Sequence, residues 1–149
     1  ITYFGLFGPY LAGAKKIVVE DAYVRKPYQL RNLAEFLEML LRCKKSDEDV
    51  AVHLVTGHND PEFMKAQLNG LNELASTFAQ LGVNLTYEFR DTLHDRSITA
   101  DTGWEILPGR GLDIFQKFVD GDWLNPLLRH QQLRRVKECK VTYQRVREK

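Results

Sequence analysis

The sequence predicts an α/β fold: one domain over residues 1–149, with a mixed sheet flanked by helices and a β-α-β-α-β start. Three observations predict it. Short apolar runs alternate with longer stretches whose apolar residues recur at helical spacing. Pro and Gly stand at the boundaries between the two patterns. A chain of 149 residues, 44% hydrophobic, can fill one core of ordinary domain size.

Residues 2–13 are aromatic and punctuated by glycine, and predict a short helix or turn with its rings inward. Residues 16–20 (KIVVE) read as a buried strand, with Asp21 at its C-terminal end. Pro27 opens a helix over 27–42, in which Leu30, Leu33, Leu37, Leu40 and Leu41 share one face. The charged run 44–49 is a surface loop. Residues 50–56 (VAVHLVT) form a nearly continuous apolar strand, which predicts burial on both faces. Asp60-Pro61-Glu62 supplies the cap, the first-turn proline and the acid of a helix start. That helix runs to about residue 81, with Met64, Leu68, Leu71, Ala75 and Phe78 inward and Gly82 just past its end.

Residues 83–89 turn Val83, Leu85, Tyr87 and Phe89 to one side, as a half-buried strand does. Short strands near 96–100 and 103–107 follow, joined by a turn at Thr102-Gly103. Arg110-Gly111 leads into a short helix at 112–118, and residues 121–128 are irregular. A helical turn or two at 129–135 then precedes a strand at 136–146.

Charged residues make up 28% of the chain and the net charge is +1, which suits neither a nucleic-acid tail nor a membrane-surface peptide. The charge is unevenly spread. Residues 129–149 hold eight Lys and Arg against Glu138 and Glu148, a net +6, so residues 1–128 carry −5. Such an end could meet phosphate or an acidic partner, or be a solvated strand and tail. Cys43 and Cys139 are far apart, so neither a disulfide framework nor a metal site is expected, and no cofactor is predicted. A reducing cytoplasm is the expected location. No apolar run approaches the ~20 residues of a membrane span, and the start lacks the basic region of a signal peptide. Ile1 in place of an initiating Met predicts a piece of a longer protein. The sequence holds no G-x4-G-K-[ST], so any ATPase chemistry would lie upstream.

The most chemical stretch is His94-Asp95-Arg96-Ser97-Ile98-Thr99-Ala100-Asp101, spaced H-x-R-x4-D. His94 could act as a nucleophile oriented by Asp101; it could equally be tied into a strand-edge network. Arg96 could clamp a phosphate, or form an internal salt bridge to Asp95, Asp101 or Glu20. Asp21, Tyr23, Arg25 and Thr56 lie beyond the ends of the first two strands, where open α/β sheets bind ligands; turn and cap chemistry is the alternative. Arg110-Gly111 ahead of a helix would make an anion site, or a turn that needs Gly with Arg110 on Asp113. His53 reads as a satisfied core histidine, and Trp104 and Trp123 as core or interface.

The motif has the spacing of the phospholipase D superfamily's H-x-K-x4-D, with Arg in place of Lys. It sits in an ordered series: Glu20-Asp21-Ala22-Tyr23-Val24-Arg25, then Gln29 and Asn32, then His53-Leu54-Val55-Thr56, then His94-Asp95-Arg96, Gly103-Trp104 and Gly109-Arg110-Gly111-Leu112-Asp113. Over about residues 3–118 this series resembles the C-terminal phospholipase D-like domain of MIT-domain proteins. The resemblance implies cleavage of phosphodiesters through a histidine nucleophile, with lysine holding the phosphate charge. It also implies two motifs facing each other, hence self-association in a one-motif chain. The eukaryotic form acts in membrane abscission on phosphoinositide membranes. The start (TYFGLFGPYLAGAKKIVVEDAYVR) and the end (Gln131 to Tyr143) look like a bacterial version, similar to the C-terminal part of Lon-related AAA+ ATPases of bacteriophage-exclusion (BREX) systems. Two departures weigh against catalysis. Arg96 replaces Lys, which is not a like-for-like swap. Gly103-Trp104 stands where active enzymes carry Gly-Ser and then Asn.

The leading expectation is therefore a non-catalytic recognition and assembly module in phage defence. It would self-associate and bind DNA, another phosphate-containing ligand or other defence subunits around Asp21, Arg25, His94, Arg96 and Arg110. One rival is a dimeric, metal-independent phosphodiesterase or nuclease using His94. The other is a module for anionic membranes that uses the basic segment 129–149.

Overall fold

β1 (Lys16–Glu20) is the strand from which the sheet extends in both directions. The computed structural model describes residues 1–116 and 124–146. On one side β2 (Val50–Thr56) and then β3 (Val83–Phe89) run parallel to β1. On the other, β4 (Ser97–Ala100) is antiparallel, followed by β5 (Trp104–Pro108) and β6 (Val141–Arg145), each antiparallel to its neighbour. The order is β3-β2-β1-β4-β5-β6. It follows that β1, β2, β3 and β5 all end at one edge of the sheet, where β4 and β6 begin. We call this the carboxyl edge.

Three helices follow from local chemistry. α1 (Tyr3–Leu11) is capped by Thr2, whose hydroxyl accepts from the Gly5 N–H at 3.0 Å. α2 (Pro27–Cys43) begins on its proline, and the Gln29 side chain reaches back to accept from the Lys26 N–H at 3.0 Å. The third predicted helix start splits in two. Pro61–Phe63 form a 3₁₀ turn, and α3 (Met64–Ala79) begins after it. The Asp60 side chain makes no cap bond there.

All three helices pack on one face of the sheet. That face carries Ile17, Val19, Val52, Leu54, Val83, Leu85, Ile98 and Ile106, buried against Tyr3, Phe7, Phe36, Leu37 and Leu71. Each such side chain contributes about 1.5–3 kcal/mol of burial. The opposite face carries the alternate residues, aligned in the row Thr86-His53-Val18-Thr99-Glu105. This corrects the expectation that β2 is buried on both faces. Ala51 is exposed, and His53 lies half-buried, bonded to Thr86 at 2.7 Å and Glu88 at 2.9 Å. Period-two alternation decides it; the apolar run is continuous only at Leu54, Val55 and Thr56, where the carboxyl-edge loops close over the strand end.

The C-terminal third departs further from expectation. Instead of a helix at 112–118, a turn follows β5, with the Gly111 N–H donating to Pro108 and the Asp113 N–H to Arg110. Phe115 then bridges Val136. Residues 117 and 118 of that predicted helix, residues 121–123 of the predicted irregular stretch, and Trp123 lie outside the described residues. α4 (Pro126–Arg129) is one turn capped by Asn125, and a 3₁₀ turn follows at Gln131–Leu133. The last strand begins at Val141, not Val136, because the backbone on either side of Val136 already pairs with Ile114 and Gln116.

Candidate functional site

Every sequence-predicted site residue but one lies at the carboxyl edge. They divide into those turned inward and those left at the surface.

Asp21 is the centre of the inward set and is 2% exposed. Its carboxylate accepts from the Tyr23 N–H at 2.9 Å and the Leu112 N–H at 3.2 Å, and lies 3.6 Å from Arg96 Nε. It therefore ties the ends of β1 and β5 to the start of β4. Burial pushes its carboxyl above the usual aspartate value, while its backbone donors and Arg96 work in the opposite direction. Thr56 is fully buried and its hydroxyl accepts from the Val24 N–H at 3.1 Å. Both side chains thus satisfy backbone N–H groups of the turns, the alternative the sequence left open. Gly111 is also inward, at φ +61°, and a Cβ there would sit 2.0 Å from Asp21 Oδ2. Only glycine allows the chain to pass this close to the buried carboxylate. The pairing expected between Arg110 and Asp113 is absent: Arg110 Nε donates to the Glu138 carbonyl at 2.7 Å, and Asp113 pairs with Lys137 at 2.9 Å.

At the surface, Tyr23 is 45% exposed. Two guanidinium groups lie over its ring, Arg25 at 4.8 Å and Arg96 at 4.9 Å from the centroid. Each is fixed by one backbone carbonyl: Arg25 Nη1 donates to His58 and Arg96 Nη1 to Gly109, both at 3.0 Å. The remaining ω nitrogen of each has no hydrogen-bond partner among the described residues. Arg96 thus pairs internally with Asp21, not with the Asp95, Asp101 or Glu20 expected from sequence. His94 is exposed and makes no hydrogen bond or ion pair among the described residues.

Asp101 is the residue that does not join the others. It lies past the far end of β4, where its carboxylate accepts from the Lys15 N–H at 3.0 Å. Four residues separate it from Arg96, five extended steps that span about 16 Å. It cannot orient His94 within this chain.

Two further parts of the edge carried no recognised motif. Gln67 of α3 is fully buried. Its Nε2 donates to the Val24 and Gly57 carbonyls, both at 3.0 Å, and its Oε1 accepts from the Asn59 N–H at 2.9 Å. It locks the β1–α2 loop to the β2–α3 loop. A polar residue between Met64 and Leu71 on an apolar stripe was the available signal. The second part is His58, whose Nδ1 lies 2.8 Å from Asp91 Oδ2 while its N–H donates to Oδ1 at 2.9 Å. Those bonds hold the Asp91 carboxyl below the usual aspartate value. The two residues come from the ends of different strands, so no spacing in the chain announces them.

One arginine of the basic C-terminal segment is taken into the fold. Arg134 is 6% exposed and holds Glu35 of α2 through both ω nitrogens, at 2.9 and 3.1 Å. Among the described residues no group of His, Cys, Asp and Glu could hold a metal ion, and no helix is long and apolar enough to cross a membrane.

A family model described as the phospholipase D-like domain at the C-terminus of MIT matches residues 1–145. The chain belongs to this family. The match reaches through β6, well past residue 118, where the sequence resemblance stopped. The phospholipase D-like domain is also similar to mouse MIT domain-containing protein 1, 36% identical over 117 residues. That alignment covers 78% of this chain and 46% of the mouse protein, so the chain spans about half the length of its relative.

Proposed function

We propose that this phospholipase D-like domain is a non-catalytic recognition and assembly module that takes a phosphate-type anion at its carboxyl edge. The supporting observation is the Tyr23 platform: Arg25 and Arg96 over one exposed ring, each anchored by a carbonyl and each with nitrogens to spare. Such preset forks suit an oxyanion. Catalysis is disfavoured because His94 has no orienting acid among the described residues and Asp101 lies past the far end of β4. Self-association would engage the sheet face that the described helices leave open. The likeness of the two chain ends to Lon-related AAA+ proteins of bacteriophage exclusion supports a parent in which an upstream ATPase does work on DNA or partner subunits that this domain grips.

The test is a metal-free incubation with single- and double-stranded DNA and a chromogenic phosphodiester, run beside His94→Ala and Arg25→Gln. The expected result is no turnover in any protein, with DNA retained by wild type and His94→Ala and lost by Arg25→Gln. Turnover that disappears in His94→Ala would replace this reading with a phosphodiesterase built from two copies of the chain.

A further inference from the structure

The edge holds a second fixed polar side chain beside Arg25. His58 is gripped from several directions. Asp91 takes both its ring Nδ1 and its backbone N–H, the ring stacks on Phe89 at 4.3 Å, and its carbonyl receives Arg25 Nη1. The loop beneath is anchored by Gln67, and Asn59 Nδ2 donates to the Arg25 carbonyl at 3.2 Å. Binding partners held this firmly lose little entropy when a ligand arrives. With Nδ1 engaged, Nε2 is the ring's remaining hydrogen-bonding atom. It has no partner among the described residues, and the side chain is 45% exposed.

We propose that His58, positioned by Asp91, is an anion-binding side chain of this edge that donates from Nε2 to the same phosphate-type anion that Arg25 holds. This rests on the anion-binding reading above. Nε2 donates when the ring carries both protons, and it accepts when Nδ1 alone is protonated toward Asp91. The charged groups facing His58 are Asp91 on the β3–β4 loop and Arg25 on the β1–α2 loop; Phe89 of β3 and Gln67 of α3 are uncharged. A bound anion would screen Arg25 and add a second acceptor for the imidazolium, so affinity should rise as pH falls through the histidine range. His53, bonded to Glu88 and Thr86 on the open sheet face, is a comparable histidine–carboxylate pair away from the edge and serves as the internal control.

The experiment titrates inorganic sulfate, whose charge is constant between about pH 5.5 and 8 while histidine changes, into the isotope-labelled domain. The imidazole and arginine resonances are followed. Wild type should show His58 and Arg25 signals moving with sulfate and His53 signals still, with affinity higher at the lower pH. His58→Gln, which keeps a donor for Asp91 and whose folding is checked by thermal melting, should bind about tenfold more weakly at low pH and lose the pH dependence. If Arg25→Gln abolishes binding while His58→Gln binds as wild type does, the His58 assignment falls and the Tyr23 platform stands. If His94→Gln, not His58→Gln, removes the pH dependence, the assignment also falls. Failure of wild type to bind sulfate at either pH would remove both proposals.

Discussion

Strand β4 delivers the two halves of the H-x-R-x4-D motif to opposite edges of the sheet, and the two edges are built differently. At the carboxyl edge Arg96 meets a buried carboxylate, a backbone carbonyl and an aromatic ring. At the far edge Asp101 stays exposed and accepts from one backbone N–H, that of Lys15. A helix would have brought residues three or four apart together. A strand separates them by about 3.3 Å per residue, so spacing along it measures distance, not convergence. The carboxylate that serves Arg96 comes from another strand.

The contrast can be broken most severely at Gly111. Gly111→Ala should cost about 3–5 kcal/mol in urea unfolding, because the new methyl meets Asp21 in a left-handed backbone; a variant of wild-type stability would mean the turn moves freely. Asp21→Ala should cost about 2–4 kcal/mol, since it strips the acceptor from two backbone N–H groups and from Arg96.

Two carboxylates of the same edge sharpen the comparison through pH. Asp21 is raised by burial, so its contribution to stability is full below the unfolded value of ~3.9 and is lost as pH rises through its folded value. Asp91 is lowered by its bonds from His58, so its contribution is full above ~3.9 and is lost as pH falls through its folded value. Unfolding free energies across the acid range should therefore show opposite slopes. The advantage of wild type over Asp21→Asn shrinks as pH climbs, and its advantage over Asp91→Asn grows. Parallel slopes would contradict the assigned environments. The smallest effect is expected at the far edge. Asp101→Ala should cost less than about 1 kcal/mol and leave sulfate binding unchanged. A loss of binding in that variant would imply that Asp101 reaches the site from a second copy of the chain.

The strands and long helices were readable because their signals are local. Leu33, Leu37 and Leu40 on one helical face, and Val83 and Leu85 on one side of a strand, state where the core lies whatever surrounds them. Gly103 marked its hairpin, with φ +92°. The region after β5 resisted because its backbone is satisfied by distant partners: Gln116 and Ile114 pair across to Arg135 and Lys137, so no helix forms at 112–116. Residues 21, 25, 94 and 96 were picked out as a group, but not which of them face solvent.

The sequence by itself determined the α/β alternation, the apolar stripe of each element and the presence of an altered phospholipase D motif, since each is written in neighbouring residues. Only the tertiary structure decided that Asp21 and Thr56 turn inward, that Asp101 lies at the far edge and that His58 stands beside Arg25. Those outcomes depend on which strand ends share an edge, and strand order is a matter of pairing between segments far apart in the chain.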